Sequence, residues 1–535
     1  MNNLCHVGAR RRLSPILQGT LLLTGANLLL RLISLVFQAF LERQLGAAGL
    51  GLLQLISTVG LMAGIIGASG VRVAAMFLTA EEFGHRRPEG VRQAVTVCLR
   101  YGLLLSCLAG AALFLGAEAM AQRWLQDARV ALSLRVMGLL LPFSCLSGIM
   151  SGYYTACARI GRLIAVEIVE RLLSTLLTVA LLLTWARDDL GRACCAVVLG
   201  SSLGAAMDFA LLYAGYRRDQ RPHLQTAESS HMWGRLLRLC VPLALNDYLR
   251  AGLNTVEQFL IPYGLMRYGA AREAALADYG AIHGMVFPVL MFPAAILYAL
   301  SDLLVPELSR RRATGDRRRI EGLTERCLGL CAGFAAAVAG LLFLNGVELG
   351  RLIYDSAAAG SYLRLFAPMV LILYLDAIVD GMLKGLAEQV RCVRYNTLTS
   401  VLDVLFLFLL LPRWGIGGYV FSFVVTHAIN LYLSLRRLLQ VTSYRLSLRA
   451  LLRPVLCGLG AVLPLLLLPE TPAGLAGVLL RSLLFLLFFG GFLLLGSGKT
   501  GTALTFQPVP DKMKEKRGDR HGATDAGPSL SAPVR

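Results

Sequence analysis

Asp247, Arg250, Asn254 and Glu257 recur at spacings of three and four residues inside an apolar stretch long enough to cross a bilayer. With Asn246 and Gln258 they cover roughly 120° of a helix drawn at 100° per residue. The remaining surface is Leu, Ile, Val, Ala and Phe. A charge turned toward hydrocarbon costs about 2.5–3.5 kcal/mol on insertion scales, so the seam must face other helices or water. It is either a helix–helix contact held by internal ion pairs or the wall of a wet cavity at mid-membrane. A second stretch repeats the pattern. Thr24, Asn27, Arg31, Ser34 and Gln38 share roughly 80° of arc, with Glu42 at their far end. Arg31 and Arg250 each lie well inside an apolar span, beyond easy reach of a headgroup layer. The expected cavity residues are Arg31, Asn27, Gln38, Arg250, Asn254 and Glu257. Glu257 or Asp247 would neutralise Arg250 when no ligand is present.

The elements that must carry these seams are transmembrane helices. Of the 535 residues 56% are hydrophobic and only 16% charged, a balance that excludes an ordinary soluble globule. Fourteen apolar segments between residues 17 and 496 are long enough to span. The first follows the arginines at 10–12 and is too long for a cleaved leader, so it reads as a span. The fold class is therefore all-α and integral to the membrane. The expected organisation is a cytoplasmic N-terminus over 1–16, a six-helix lobe over 17–216 and a basic linker over 217–235. A second six-helix lobe follows over 236–440, then two further spans over 441–497 and a disordered tail over 498–535. Internal repetition supports two lobes. Gly148-x-x-x-Gly152 returns as Gly381-x-x-x-Gly385, and Glu170 returns as Asp403, all at an offset of 233. Gly46 and Gly51 return as Gly280 and Gly284 at nearly the same offset. An even number of spans per unit makes the repeats parallel.

Net charge is +19, but the basic residues gather in the loops at 217–238, 310–326 and 436–453. That is the positive-inside bias rather than a nucleic-acid surface, and it places both termini in the cytoplasm with anionic lipids as surface partners. The twelve cysteines show no CxxC pattern, and no Cys/His cluster has metal-ligand spacing, so neither a metal site nor a cofactor is expected. Gly200-Ser-Ser-Leu-Gly204 fits a nucleophile elbow in letters only, since it lies mid-span without a strand. Gly498-Lys-Thr500 lacks the upstream glycine of a phosphate loop.

Glu257-Gln-Phe-Leu-Ile-Pro262, Tyr279-Gly-Ala-Ile-His-Gly-Met-Val-Phe-Pro288, Leu304-Val-Pro-Glu-Leu-Ser309 and Gly381-Met-Leu-Lys-Gly-Leu-Ala-Glu-Gln389 resemble the stage V sporulation protein B family. That family belongs to the polysaccharide-flippase branch of the multidrug/oligosaccharidyl-lipid/polysaccharide exporter superfamily. The resemblance covers about residues 15–440. It implies a V of two lobes alternating between inward-open and outward-open states in the bacterial cytoplasmic membrane, with no enzymatic activity. It also implies an undecaprenyl-pyrophosphate-linked oligosaccharide or peptidoglycan precursor as the cargo of a monomeric flippase. Arg31 and Arg250 suit a pyrophosphate because the guanidinium fork binds it by paired hydrogen bonds. In lipid II flippases of similar design, acidic and hydroxyl groups bind a coupling sodium ion. Asp247, Asp403 and Thr426 are the matching candidates here, for Na+ or a proton. The competing readings are a cation-coupled multidrug exporter on the same fold and a non-transporting scaffold of envelope synthesis. A membrane glycosyltransferase would need a long loop with catalytic acids, and the loops are short.

The charge bias makes a topological prediction. Single cysteines at Arg221, Arg317 and Arg445 in a cysteine-free background should resist an impermeant thiol reagent in intact cells. A cysteine at Asp355 should react. Labelling at 317 but not at 355 reverses the orientation.

Overall fold

A chain in hydrocarbon must satisfy every backbone N–H and C=O within its own segment, so apolar segments become helices. The computed structural model describes residues 15–442 apart from 69, 86, 158, 187–188 and 220–229, then 444, 448–467 and 474–496. No strand occurs among them. The expected N-terminal segment, most of the basic linker and the tail lie outside the described residues. The helices are α1 (Pro15–Ala68), α2 (Val71–Gly84), α3 (Pro88–Arg123), α4 (Ala131–Ala156), α5 (Ile160–Thr184) and α6 (Leu190–Asp219). The second half holds α7 (Ser230–Tyr268), α8 (Arg272–Tyr279), α9 (Phe287–Met291), α10 (Ala294–Ala313), α11 (Arg317–Tyr354), α12 (Ala357–Phe366), α13 (Val370–Gly385), α14 (Gln389–Trp414) and α15 (Ile416–Thr442). The last two are α16 (Leu448–Leu466) and α17 (Leu475–Gly496).

These helices group into fourteen rods that coincide with the fourteen expected spans. By length and composition, ten helices among the described residues qualify outright to cross a membrane. The α1 helix supplies two rods, because the chain turns at Gly46 with φ 70° and ψ 172°, a conformation open to glycine. The α8–α10 run supplies one rod, interrupted by a π-helical turn at Gly280–Val286 and again at Phe292–Pro293. Two prolines five residues apart announced a bent helix.

The halves repeat the same pairings. In the first, α4 packs on α2, α3 and α6, α5 on α6, and α1 on α5. In the second, α13 packs on α10, α11 and α15, α14 on α15, and α7 on α14. The glycine repeat has a packing reason. A Cβ at Gly152 would lie 2.5 Å from the Arg72 carbonyl oxygen, and one at Gly385 would lie 2.9 Å from that of Val305. Arg72 and Val305 are themselves 233 residues apart. Small residues let these backbones touch, as membrane helix packing favours. The α16 and α17 helices pack on α11 and each other, and α17 turns Leu479, Leu483, Leu487 and Leu494 outward.

The tightest contact between halves joins α1 to the α8 region. A Cβ at Gly280 would lie 2.1 Å from the Ala47 carbonyl oxygen and 2.6 Å from the Gly51 nitrogen. Gly280→Val should therefore destabilise by about 1–3 kcal/mol, the usual range for overpacking. Its thermal midpoint in detergent should fall, whereas Gly252→Ala, whose added Cβ meets nothing within 4 Å, should match the parent.

Candidate functional site

The broken helix explains the first seam residue. Ala295 N–H bonds the Phe292 carbonyl at 3.2 Å, one residue short of the α-helical partner, and Pro293 has no N–H. The carbonyl of Met291 thus loses its helical donor. Tyr374 on α13 donates its hydroxyl to Leu290 O at 2.7 Å. Arg31 on α1 donates Nη1 to Met291 O at 2.7 Å, and its guanidinium lies 5.3 Å from the Tyr298 ring centroid. Arg31 is half-buried and caps a break in the other half of the chain. Gln38, further along α1, reaches to within 3.6 Å of where a Gly284 Cβ would stand in the π-helical turn. Asn27 belongs to the residues whose side chains are outside the description.

The α7 seam divides. Asn246, Arg250 and Asn254 are exposed on a face separate from that of Leu245, Leu249 and Val256. Arg250 and Lys384 both act on the Asp380 carboxylate, and Lys384 also acts on Asp302, which joins α7, α10 and α13 through their charges. Arg31 and Arg250 therefore meet different helices of the second half. The first half has a comparable group. Arg72 and Arg171 act on Glu167, and Asp208 accepts a short hydrogen bond from Ser147. Arg72 and Arg171 are exposed, as Arg250 is. Their exposure is set by how α2, α4 and α5 pack, which one helix at a time does not reveal.

Glu257, expected beside Arg250, lies two turns further along α7 and meets a different neighbour. Its carboxylate acts on Asp403, and Tyr279 and Tyr419 share the same interior. Asp247 stands ten residues earlier on α7, about 15 Å along the axis, so Glu257 is the α7 carboxyl beside Asp403. Asp403 Oδ1 accepts from Ser422 Oγ at 2.7 Å, and Thr426 Oγ1 lies 3.2 Å away. Thr426 has one hydroxyl proton, with both Asp403 Oδ1 and, at 2.8 Å, the Ser422 carbonyl as acceptors. One turn back on α14, Thr399 Oγ1 lies 3.4 Å from Asn430 Oδ1, and Asn430 Nδ2 donates to both Asp376 oxygens at 3.1 and 3.0 Å. Asp376 and Asp380 face each other on α13. His283 closes the cluster, with Nε2 3.1 Å from the Tyr419 hydroxyl. The signal for Tyr419 and Ser422 was legible: Tyr419, Ser422, Thr426 and Asn430 form a polar seam at spacings of three and four. Among the described residues no three His, Cys, Asp or Glu side chains converge as metal ligands.

Comparison with known proteins places this helical bundle in a family. The profile of the polysaccharide biosynthesis protein family matches residues 16–310. The chain belongs to that family. It is 22% identical over 458 residues to stage V sporulation protein B of Bacillus subtilis (strain 168), covering 83% of this chain and 88% of that one. It is 23% identical over 252 residues to sporulation protein YkvU of the same organism, covering 45% and 56%. In fold it is similar to the lipid II flippase MurJ in an inward closed conformation, with TM-score 0.68, 12% identity and coverage of 89% of this chain and 99% of that one. It is also similar to an inward-facing multidrug resistance MATE family transporter of the MOP superfamily, with TM-score 0.60, 13% identity and coverage of 77% and 96%. The solved neighbours are transporters or flippases rather than enzymes. The protein is a multi-pass membrane protein of this polysaccharide family, built on the MOP transporter fold.

Arg31→Ala should leave Met291 O without a donor, a loss of about 1–3 kcal/mol for a buried acceptor. The thermal midpoint should drop, and Arg31→Lys should recover part of it. An unchanged midpoint in Arg31→Ala would separate Arg31 from the helix break.

Proposed function

We propose that this protein carries a lipid-linked saccharide, of the undecaprenyl-pyrophosphate type, across the cytoplasmic membrane by alternating access. The observation that supports this most is the set of exposed arginines, Arg72, Arg171 and Arg250, within long helices of both halves. An anionic pyrophosphate needs such groups, and the guanidinium fork matches it. The polyprenyl tail stays in lipid while the sugar follows the polar path. The named relatives give the class its context: one is a sporulation protein of matching length, and one fold neighbour is a lipid II flippase. In this reading the two halves are lobes, the Arg-rich loops face the cytoplasm, anionic lipids contact those loops, and the monomer is the working unit.

The second-half cluster would supply the coupling. Glu257 and Asp403 repel one another as bare carboxylates, and a cation or shared proton relieves this. Asp403 Oδ1, Ser422 Oγ and Thr426 Oγ1 are hard oxygen donors of the kind a sodium ion takes. The ion would be Na+ or H+, held mainly by Asp403, Thr426 and Glu257, with Asp247 nearer the Arg-rich end of α7.

Reconstitution in liposomes with defined lipid-linked saccharides tests the function. Arg250→Ala should cut transport at least about tenfold while membrane insertion is unchanged, a loss of charged hydrogen bonds worth about 1.5–3 kcal/mol. Transport at the parental rate removes Arg250 from the substrate path. Asp403→Asn should abolish the response of transport to an imposed Na+ or H+ gradient. A parental response rules out coupling at Asp403.

A further inference from the structure

Three charges near the Arg-rich face sit where their own helices disfavour them. Glu81 and Glu82 occupy the last turn of α2, at the negative end of its dipole. Arg235 occupies the second turn of α7, near the positive end of its own. Each misplacement is answered by the other across the boundary between halves. Arg235 Nη1 donates to Glu82 Oε1 at 2.7 Å, and Nη2 lies 2.6 Å from Glu81 Oε2. The pair is sheltered, with the Arg235 side chain 22% exposed and that of Glu82 only 8%. The neighbouring helix makes room for it: a Cβ at Gly90 of α3 would stand 2.3 Å from Glu82 Oε2. Beneath the ions Met232, Leu236 and Cys240 of α7 pack against Val71, Ala74, Leu78 and Cys98. Trp233 meets Tyr101 edge-on at 6.5 Å.

The opposite end of the same hairpin carries a looser counterpart. Arg272 is the first residue of α8, again a cation at a helix N-terminus. Its Nη2 donates to Leu125 O at 2.7 Å, but its Nη1 stands 3.6 Å from Asp127 Oδ2. Asp127 is already held by Arg129, which donates to it at 2.8 and 3.0 Å.

We propose that Arg235, gripped by Glu81 and Glu82, is the latch that keeps the Arg-rich end of the molecule shut. Arg272 on Asp127 is a weaker latch at the far end. The α7–α8 hairpin is then the strap that releases the first half at one face at a time. The inner grip has two carboxylates and the outer shares one, so the substrate-free protein rests closed toward the Arg-rich face. This rests on the alternating-access reading, but its test needs no substrate.

The test uses the full chain in liposomes, cysteine-free except for Asn254→Cys as reporter, with an impermeant maleimide added at the Arg-rich face. Arg235→Ala should speed labelling about tenfold, as expected for losing one charged hydrogen-bonded contact from a two-state balance. The near-isosteric pair Glu81→Gln/Glu82→Gln should do the same and guards against a folding defect in the first variant. Charge exchange, Arg235→Glu with Glu81→Arg/Glu82→Arg, should return labelling toward the parental rate. A disulfide between Glu82→Cys and Arg235→Cys should block labelling until it is reduced. Parental labelling rates in Arg235→Ala and in the glutamine pair overturn the latch, as does fast labelling through the intact disulfide. A protein that labels as stated yet moves no lipid-linked sugar would leave the latch standing and sink the transport reading alone.

Discussion

At bilayer depth no solvent is available to finish an incomplete hydrogen bond, and every polar atom must be answered by the protein or by an enclosed aqueous path. The architecture follows from that demand. Apolar faces such as Leu245, Leu249 and Val256 turn outward. Seams such as Tyr419, Ser422, Thr426 and Asn430 turn inward and find one another. Where the backbone is broken, at Phe292–Pro293, side chains donate to the carbonyls before it. Arg31 arrives from one half and Tyr374 from the other, so a local defect becomes a junction between distant parts of the chain.

Asp403 and Asp376 of the second half, like Asp208 of the first, are met mainly by uncharged polar groups. Asp403 is met by hydroxyls and by a second carboxyl, and Asp376 by an amide. In the first half Glu167 has Arg72 and Arg171 close by, and in the second Asp380 has Arg250 and Lys384. The molecule thus separates balanced charge, set on exposed faces, from unbalanced charge, set in the interior. Balanced groups suit contact with a large hydrated anion. Unbalanced carboxyls suit a small cation.

Much of this was legible in the sequence because membrane helices are long, uniform and periodic. Fourteen apolar runs became fourteen rods, and the glycine offset of 233 became two equivalent backbone contacts, Gly152 on Arg72 and Gly385 on Val305. The 233-residue offset singled out Asp403, and the family resemblance added Thr426, which lies on the adjacent helix and touches it. Spacing failed where the outcome depends on which neighbouring helix lies at each level. Glu257 and Arg250 point about 20° apart on α7, but about 10 Å of helix rise separates them, so they meet different neighbours. Arg31 looked like a free cavity charge because nothing in α1 announces a broken carbonyl 260 residues away. The charges at the ends of α2 and α7 carried a readable signal, since they oppose their own helix dipoles.

The Gly51–Gly280 contact has a bearing on how this fold can drift. Each position excludes a side chain because of the other strand of backbone: Leu276 O and Gly280 N oppose Gly51, and Ala47 O and Gly51 N oppose Gly280. Side-chain clashes can be relieved by shrinking the neighbour, but a peptide group has nothing to shrink. The two glycines therefore cannot trade volume through paired substitutions, and relatives that lose one must move whole helices to accommodate it. Variation should leave this spot fixed while it remodels the polar seams a few residues away.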